Sequence, residues 1–203
     1  MSTEPLKTEQ SPIRLKNIDM RDREHLTQSE INILLKHAKS KERTGDRNHL
    51  IIMLGYIHGL RAVEFTYLRW ESIDFQKATI YIRRAKGSDS GTHHLSGTEL
   101  RYLRKLRARQ EFPSNYVFLG ETGKPIAATA ISGLIKRLGV IKTGYLLGFP
   151  IHAHMLRHTC GYLLAERGTD LRLIQSWLGH RQIQNTTIYT KLSSAAFKSI
   201  NFD

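Results

Sequence analysis

Pro150-Ile151-His152-Ala153-His154-Met155-Leu156-Arg157-His158-Thr159-Cys160-Gly161, read on through Leu178-Gly179-His180 to Tyr189, is the stretch that organises the rest of the chain. His154 and Arg157 are three residues apart, so on a helix they share a face. An Arg fork holds two phosphate oxygens at once and stays charged through a reaction, and a neighbouring His adds a donor. His180 follows a glycine that ends a helix, and Tyr189 stands nine positions further on. The pattern suits a phosphate held by Arg and His and attacked by a phenol. Each residue alone has a plainer use: an Arg and a His on a solvated helix face, a tyrosine packed with its hydroxyl satisfied. A phenol of pKa ~10 is a poor nucleophile at neutral pH, and nearby cations are what would favour its anion.

Two upstream residues complete the set. Arg61 follows Gly59-Leu60 at the start of a short helix and precedes Glu64 by one turn. The helix dipole disfavours a cation at that end, so function or a salt bridge to Glu64 has to justify it. We expect both: Glu64 orients the short helix or a catalytic partner, and Arg61 reaches into a shared site. Lys86 falls in a polar turn between strands. A loop lysine can reach a phosphodiester oxygen and, partly desolvated, act as a general acid; taken alone it reads as a solvated turn residue.

Other chemistries fit less well. Gly87-Ser88-Asp89-Ser90-Gly91 has no Gly-Lys-Ser/Thr after it, and Gly120-Glu121-Thr122-Gly123-Lys124 is too short and runs into Pro125, so neither is a nucleotide-phosphate loop. His154 and His158 have metal-pair spacing, but the His-Glu-x-x-His pattern is missing and Arg157 would repel a cation; no metal and no cofactor are expected. Cys160 and His158, two apart on a helix, point in different directions, which makes Cys160 a small buried thiol.

Composition points the same way. With 31 Lys+Arg against 18 Asp+Glu, the net charge is +13, a field that favours polyanions, nucleic acid first among them. A single cysteine allows no internal disulfide and suggests a reducing compartment. Met1 to Met20 has no apolar signal core, and the longest apolar run, Leu50 to Ile57, is too short to span a bilayer. A cytoplasmic protein without membrane contact is expected.

Along the chain, residues 1–26 read as an extended arm. Thr27-Gln28-Ser29-Glu30 is a capping box opening a helix with Ile31, Leu34, Leu35 and Ala38 inward. Asp46 is expected to cap a central helix that ends at Gly59, and the Arg61 helix to run to about Trp70. Ile73 to Phe75, Thr79 to Ile82 and Thr92 to Leu95 read as a small three-stranded antiparallel sheet, because the connections are too short for crossover helices. Helices follow at 98–109, 127–138, 152–166 and, capped by Thr169 or Asp170, up to Leu178; residues 140–149 read as loop. The fold class is mainly α with that one small sheet.

In this order, Gly59-Leu60-Arg61-Ala62-Val63-Glu64, Lys86-Gly87, His154-x-x-Arg157-His158, Leu178-Gly179-His180 and Tyr189 resemble the catalytic domain of the tyrosine recombinase, or phage integrase, family. The resemblance covers about Thr27 to Phe197. The short N-terminal part and Arg172-Leu173-Ile174-Gln175 before Leu178-Gly179-His180-Arg181 are most similar to the small fimbrial phase-variation DNA invertases.

The resemblance implies a mechanism and partners. Arg61 and Arg157 clamp the scissile phosphate, His154 and His180 add hydrogen bonds, and His154 is a candidate base. Tyr189 attacks to give a 3′-phosphotyrosyl link, and Lys86 protonates the leaving 5′-oxygen. Glu64 and His158 support the others. Double-stranded DNA with inverted-repeat recombination sites is the expected substrate. A homotetramer on paired sites is expected to be linked through the tail at 193–203. Family members with a separate N-terminal clamp hold DNA from its other face; about two dozen polar residues stand here instead, which suggests DNA-bending accessory proteins. Thr129, Ser132, Lys136 and Arg137 on the helix ending at Leu138 are candidates for the major groove. Three rivals share parts of this pattern: a DNA-binding regulator on a recombinase scaffold, a topoisomerase IB-like nicking and resealing enzyme, and an RNA-binding protein, for which stacking motifs are lacking.

Overall fold

The computed structural model describes residues 23–41 and 44–190. The arm up to residue 22 and the tail at 193–203 lie outside the described residues.

Residues 23–26 pack against the body of the protein. Arg23 forms a two-pronged pair with Glu30 at 2.7 and 2.8 Å, His25 lies 3.9 Å from the Tyr162 ring, and the buried Leu26 donates its N–H to Thr159 Oγ1. Helix α1 (Gln28–Lys39) opens with the expected capping box, in which Thr27 Oγ1 accepts from Glu30 N and Glu30 accepts from Thr27 N. Helix α2 (Gly45–His58) is central and packs on α1, on α4 (Gly97–Ala108) and on α6 (Ala153–Glu166). Its Leu50, Ile51, Ile52 and Leu54 have no exposed surface, and burying each stabilises the fold by about 1.5–3 kcal/mol.

Asp46 does not cap α2. Thr44 takes the cap position, and Asp46 in the first turn pairs with Lys105 of α4 and with Arg109, which caps that helix, both at 2.8 Å. The helix after Arg61 also stops early: α3 is Ala62–Phe65. Arg69 instead bridges to Tyr116, and Trp70 N donates to Asn115 O, so the chain here is extended before one 3-10 turn at Trp70–Ser72.

Strands β1 (Ile73–Asp74), β2 (Thr79–Ile82) and β3 (Gly91–His94) form the expected antiparallel sheet in the order β1-β2-β3. Ile80 stands opposite Ile73 on one side and His93 on the other. Helix α4 carries a second capping box, Ser96 with Glu99. After α5 (Ala128–Leu138), the stretch expected as loop holds a small hairpin, β4 (Val140–Ile141) with β5 (Gly144–Tyr145). Asp170 caps α7 (Leu171–Leu178) by accepting from Arg172 N and Leu173 N. A short helix, α8 (Gln184–Thr187), for which no periodicity is visible, leads to Tyr189.

Buried side chains from Leu26 to Leu156 form the main core. A smaller cluster holds Cys160, Tyr162, Ile174, Leu178 and Tyr189. Arg157 spans the two, donating to Gly59 O beside the main core and to Leu178 O in the smaller cluster that also holds Tyr189. Among the described residues, no helix is long and apolar enough to cross a membrane.

Candidate active site

Arg157 anchors the site from α6. It is 1% exposed, and it donates to Gly59 O at 2.6 Å and to Leu178 O at 2.7 Å. These carbonyls belong to the C-terminal ends of α2 and α7, where left-handed glycines, Gly59 at φ +61° and Gly179 at φ +69°, turn the chain. A side chain on Gly179 would run into the backbone of Asp89 and one on Gly59 into the Leu178 side chain, and at both positions φ is one that side chains rarely adopt. Burial and the charges of Arg61 and Arg84 push the Arg157 pKa down to about 10, which leaves it charged at neutral pH.

Glu64 is the hub on the opposite side. Its buried carboxylate accepts from Arg61 N at 3.0 Å, Arg61 Nη1 at 2.9 Å, Arg84 Nη1 at 2.9 Å and Ala85 N at 3.1 Å. Burial alone would raise its pKa, but Arg84 and these N–H groups hold it below the usual carboxylate range. Arg61 is thus held as expected, through a salt bridge at the start of α3, and Nη1 reaches on to Ser88 Oγ at 2.9 Å.

Ser88 belongs to the turn that carries Lys86. The turn is closed by Ser88 N donating to Ala85 O and tied to α7 by Asp89 N donating to Gly179 O; Ser88 also bridges to His180. The turn is therefore fixed to segments bearing Arg61 and His180, while Lys86 itself stands exposed near its tip.

His154 and His158 meet ring edge to face with centroids 4.6 Å apart. His154 keeps solvent access, yet desolvation and then the charges of His158, Arg157 and Arg61 push its pKa down to about 4. His180 is also at about 4, through desolvation and the charges of Arg157 and Arg61, and its Nδ1 contacts Thr186 Oγ1 at 2.9 Å. Both rings are neutral at pH 7.

Tyr189 lies beneath them. Its ring is parallel to His180, 6.4 Å between centroids, and edge-on to Tyr162 at 5.1 Å. The hydroxyl is 3.4 Å from His158 Nδ1, so His158, not His154, is the imidazole within its reach. Tyr189 is 2% exposed, and burial raises its pKa well above that of a free phenol. The expected help from cations is present, since Arg157 and Arg61 pull the value down, but burial outweighs it.

The four α5 candidates lie away from that helix's core face. Ile131, Leu134, Ile135 and Leu138 are buried, Thr129, Lys136 and Arg137 are exposed, and Ser132 is half-buried. Cys160 is the buried thiol expected: it donates to Ile57 O at 3.1 Å, and burial pushes its pKa up to about 12. A cavity of about 140 Å³ lined by Arg47, Leu106, Phe112 and Leu119 shares no residue with the cluster.

Several buried polar groups are not marked by any catalytic motif in the sequence, among them Arg84 and the His58, His93 and Glu99 cluster. Arg84 is 6% exposed and reaches Glu64, Gly59 O, His58 O and Trp177 O. Its signal was available: Ile80, Ile82 and Arg84 alternate inward while Tyr81 and Arg83 face out, so an arginine occupies a core position of the strand's continuation. Behind it His58 Nε2 contacts Glu99 at 2.7 Å and His58 Nδ1 contacts His93 Nδ1 at 3.1 Å.

Residues 24–195 match the sequence profile of the Phage integrase family. The chain belongs to that family. It is a tyrosine recombinase, a site-specific recombinase acting on DNA. It is 40% identical to the type 1 fimbriae regulatory protein FimB of Escherichia coli K12 over 186 residues, 90% of this chain and 91% of FimB. It is 34% identical to FimE of the same strain, over 89% of this chain and 92% of FimE. Among solved structures, XerA recombinase superposes with a TM-score of 0.71 at 26% identity, over 86% of this chain and 62% of XerA. The mainly helical recombinase fold with its small sheet is therefore the fold of this chain.

Proposed function

We propose that this recombinase cuts and rejoins DNA through Tyr189, with Arg61, Lys86, His154, Arg157 and His180 as its catalytic set and Glu64 and His158 in support. One observation carries the reading: Arg61 before α3, His154 and Arg157 on α6 and His180 after α7 converge around Tyr189 from three separate segments, close enough for the arginine charges to act on both histidines and on the phenol.

Arg61 and Arg157 hold the non-bridging oxygens and stabilise the charge that grows on them in the transition state. Neutral His154 and His180 donate N–H bonds to the same phosphate. The phenolic oxygen forms the new bond to phosphorus as the bond to the 5′-oxygen breaks. The phenolic proton passes to the His154–His158 pair; before Tyr189 leaves its seat, His158 Nδ1 stands 3.4 Å from the phenolic oxygen. Lys86 gives its proton to the leaving 5′-oxygen. Because the phosphotyrosyl bond conserves the energy of the broken one, a 5′-hydroxyl from a partner strand rejoins the backbone by the reverse step, without ATP. Tyr189 is nearly inaccessible in this conformation, so it leaves its seat when DNA binds.

The two fimbriae regulatory relatives, each covered over more than nine tenths of its length, support inversion of a promoter-bearing DNA element for fimbrial phase variation. The reading includes inverted-repeat sites, a homotetramer linked through the 193–203 tail, DNA-bending helpers, and action in the bacterial cytoplasm at the nucleoid. It takes residues 27–192 as the catalytic domain and residues up to 26 as an arm.

The test is a covalent trap. Wild type and Tyr189→Phe are incubated, without added metal, with a nicked duplex carrying the inverted repeat that flanks the invertible element. A denaturant-resistant adduct with wild type alone establishes the nucleophile. Strand exchange with a second site then separates a recombinase from a nicking and resealing enzyme. Tight binding with no adduct, even with a DNA-bending protein added, leaves a regulator.

A further inference from the structure

Arg84 touches none of the side chains that would meet DNA, apart from those it reaches through Glu64, yet it contacts the segments that carry most of them. One guanidinium donates to four acceptors: Gly59 O at 3.1 Å, Glu64 Oε2 at 2.9 Å, His58 O at 2.8 Å and Trp177 O at 2.6 Å. Its backbone N–H adds a bond to Ser90 Oγ at 3.0 Å, on the far side of the Lys86 turn. We infer that Arg84 is a positioning residue for DNA cleavage, a buried fork that sets Arg61, Arg157, His180 and the Lys86 turn in register with one another; the inference rests on the catalytic set proposed above.

The geometry gives the reasons. Gly59 O is shared: Arg84 donates to it from one side and Arg157 from the other. Arg157's second acceptor, Leu178 O, is the carbonyl next to Trp177 O, which Arg84 holds. The two arginines therefore lace together the same two helix ends, those of α2 and α7, and His180 follows directly from the second. Through Glu64, Arg84 also fixes Arg61, whose backbone and side chain both donate to that carboxylate, and Ala85 N, the residue before Lys86. A guanidinium spreads its N–H donors over a planar fork and can meet acceptors on three sides; a lysine carries the same charge at one point and cannot span them. Neutralising Glu64 is therefore not the whole of its task.

Charge and fork separate in the variants Arg84→Lys, which keeps the charge, and Arg84→Met, which keeps neither. If Arg84 sets register, Arg84→Lys melts as a folded protein and binds the nicked duplex within about threefold of wild type. At saturating DNA it forms the adduct roughly tenfold to a hundredfold more slowly, the scale of a misplacement of about 1 Å in a reacting group. Its deficit stays in the rate at saturation and not in the DNA concentration needed. Arg84→Met, with Glu64 left against Arg61 alone, is expected to lose stability as well. Hydrogen exchange supplies a readout independent of activity. In Arg84→Lys the amides of Ala85 and Asp89, which bond Glu64 and Gly179 O, exchange faster than in wild type, while those of α1 do not. If wild type forms the adduct and Arg84→Lys matches its rate, the inference is overturned. If wild type forms none, the proposed function fails, and the exchange data still decide: unchanged protection at Ala85 and Asp89 overturns the positioning role, and faster exchange upholds it.

Discussion

Tyr189 lies across Gly161, in the space a side chain at position 161 would fill. Glycine inside α6 costs helix stability, about 1 kcal/mol against alanine, so its presence here needs a reason, and the tyrosine ring is that reason. The same contact keeps the phenol dry, which is why its pKa lies above the ordinary range. Gly161→Ala is expected to unseat the ring, at an overpacking cost of about 1–3 kcal/mol. Spectrophotometric titration of the phenols, with Tyr189→Phe as the reference, checks this. In wild type the Tyr189 signal appears later than that of an exposed tyrosine, and in Gly161→Ala it moves down into the common band. An unmoved signal would mean the seat is not what shelters the nucleophile.

Arg157 binds two helix ends and is also offered as a phosphate clamp, so its substitution should show in two measurements. Arg157→Lys keeps the charge but cannot reach both Gly59 O and Leu178 O. One buried carbonyl is left without this donor, at about 1–3 kcal/mol. The expected result is a lower melting temperature together with an adduct rate down by a hundredfold or so, the scale of losing one preorganised transition-state donor. DNA affinity should change far less, because the positive charge remains. A variant with normal melting and a normal rate would remove Arg157 from both roles.

The sequence announced the elements by local signals and missed what depends on distant ones. Thr27 with Glu30 and the glycines at 59, 168 and 179 mark helix ends through chemistry within four residues, and the helices follow them. Asp46 carries the same kind of cap signal, yet two basic residues at the end of α4, some sixty positions away, claim its carboxylate. Phe65 ends α3 because residues 69 and 70 pair with 115 and 116, again a distant partner. In the site, Arg61, His154, Arg157, His180 and Tyr189 were legible because their joint order and spacing resemble those of the tyrosine recombinase family, although each residue alone is a weak signal. Arg84 was not, since its partners are mostly backbone carbonyls, which have no sequence signature; the alternation of β2 was the one clue. Burial also decided the state of Tyr189 against the local count of cations.

Acid should loosen this fold before it reaches the carboxylates. His93 is packed between His58 and Trp177, and desolvation, then the charges of His58 and Arg84, push its pKa down to about 3. His154 and His180 are at about 4. In the unfolded chain a histidine titrates near ~6.5, so between roughly pH 6.5 and 4 the unfolded state binds more protons and stability falls with falling pH. The contribution is complete above that window. His93 should dominate, because His154 and His180 keep solvent access that screens their share. Denaturant melts at intervals from pH 7.5 to 5 are expected to show a slope approaching ~1.4 kcal/mol per pH unit for each fully coupled group, reduced in His93→Gln. Glu64 and Glu99, held below the usual carboxylate range, stay ionised in the fold above pH 5 and add little to that slope, because an unfolded glutamate is also mostly ionised there. Stability that rose on acidification would contradict a neutral His93.

The outward face of α5 allows two kinds of contact to be told apart by salt. Lys136 and Arg137 are exposed in the last turn, and the Arg137 guanidinium folds back along the helix toward Gly133. Long cations placed this way suit phosphates, whose neutralisation releases counterions and sets the dependence of affinity on salt. Thr129, one turn nearer the N-terminus than Gly133, is short and exposed, and with half-buried Ser132 it suits a base edge. Lys136→Ala and Arg137→Ala are each expected to weaken binding to specific and unrelated duplexes alike and to reduce the salt slope by about one. Thr129→Ala is expected to leave that slope alone and to lower discrimination between the inverted repeat and a duplex altered at one base pair, by about 1–3 kcal/mol. Binding isotherms at several salt concentrations on both duplexes separate the outcomes. If Arg137→Ala relaxes discrimination and keeps the slope, Arg137 reads bases; if all three variants bind as wild type does, α5 does not face the groove.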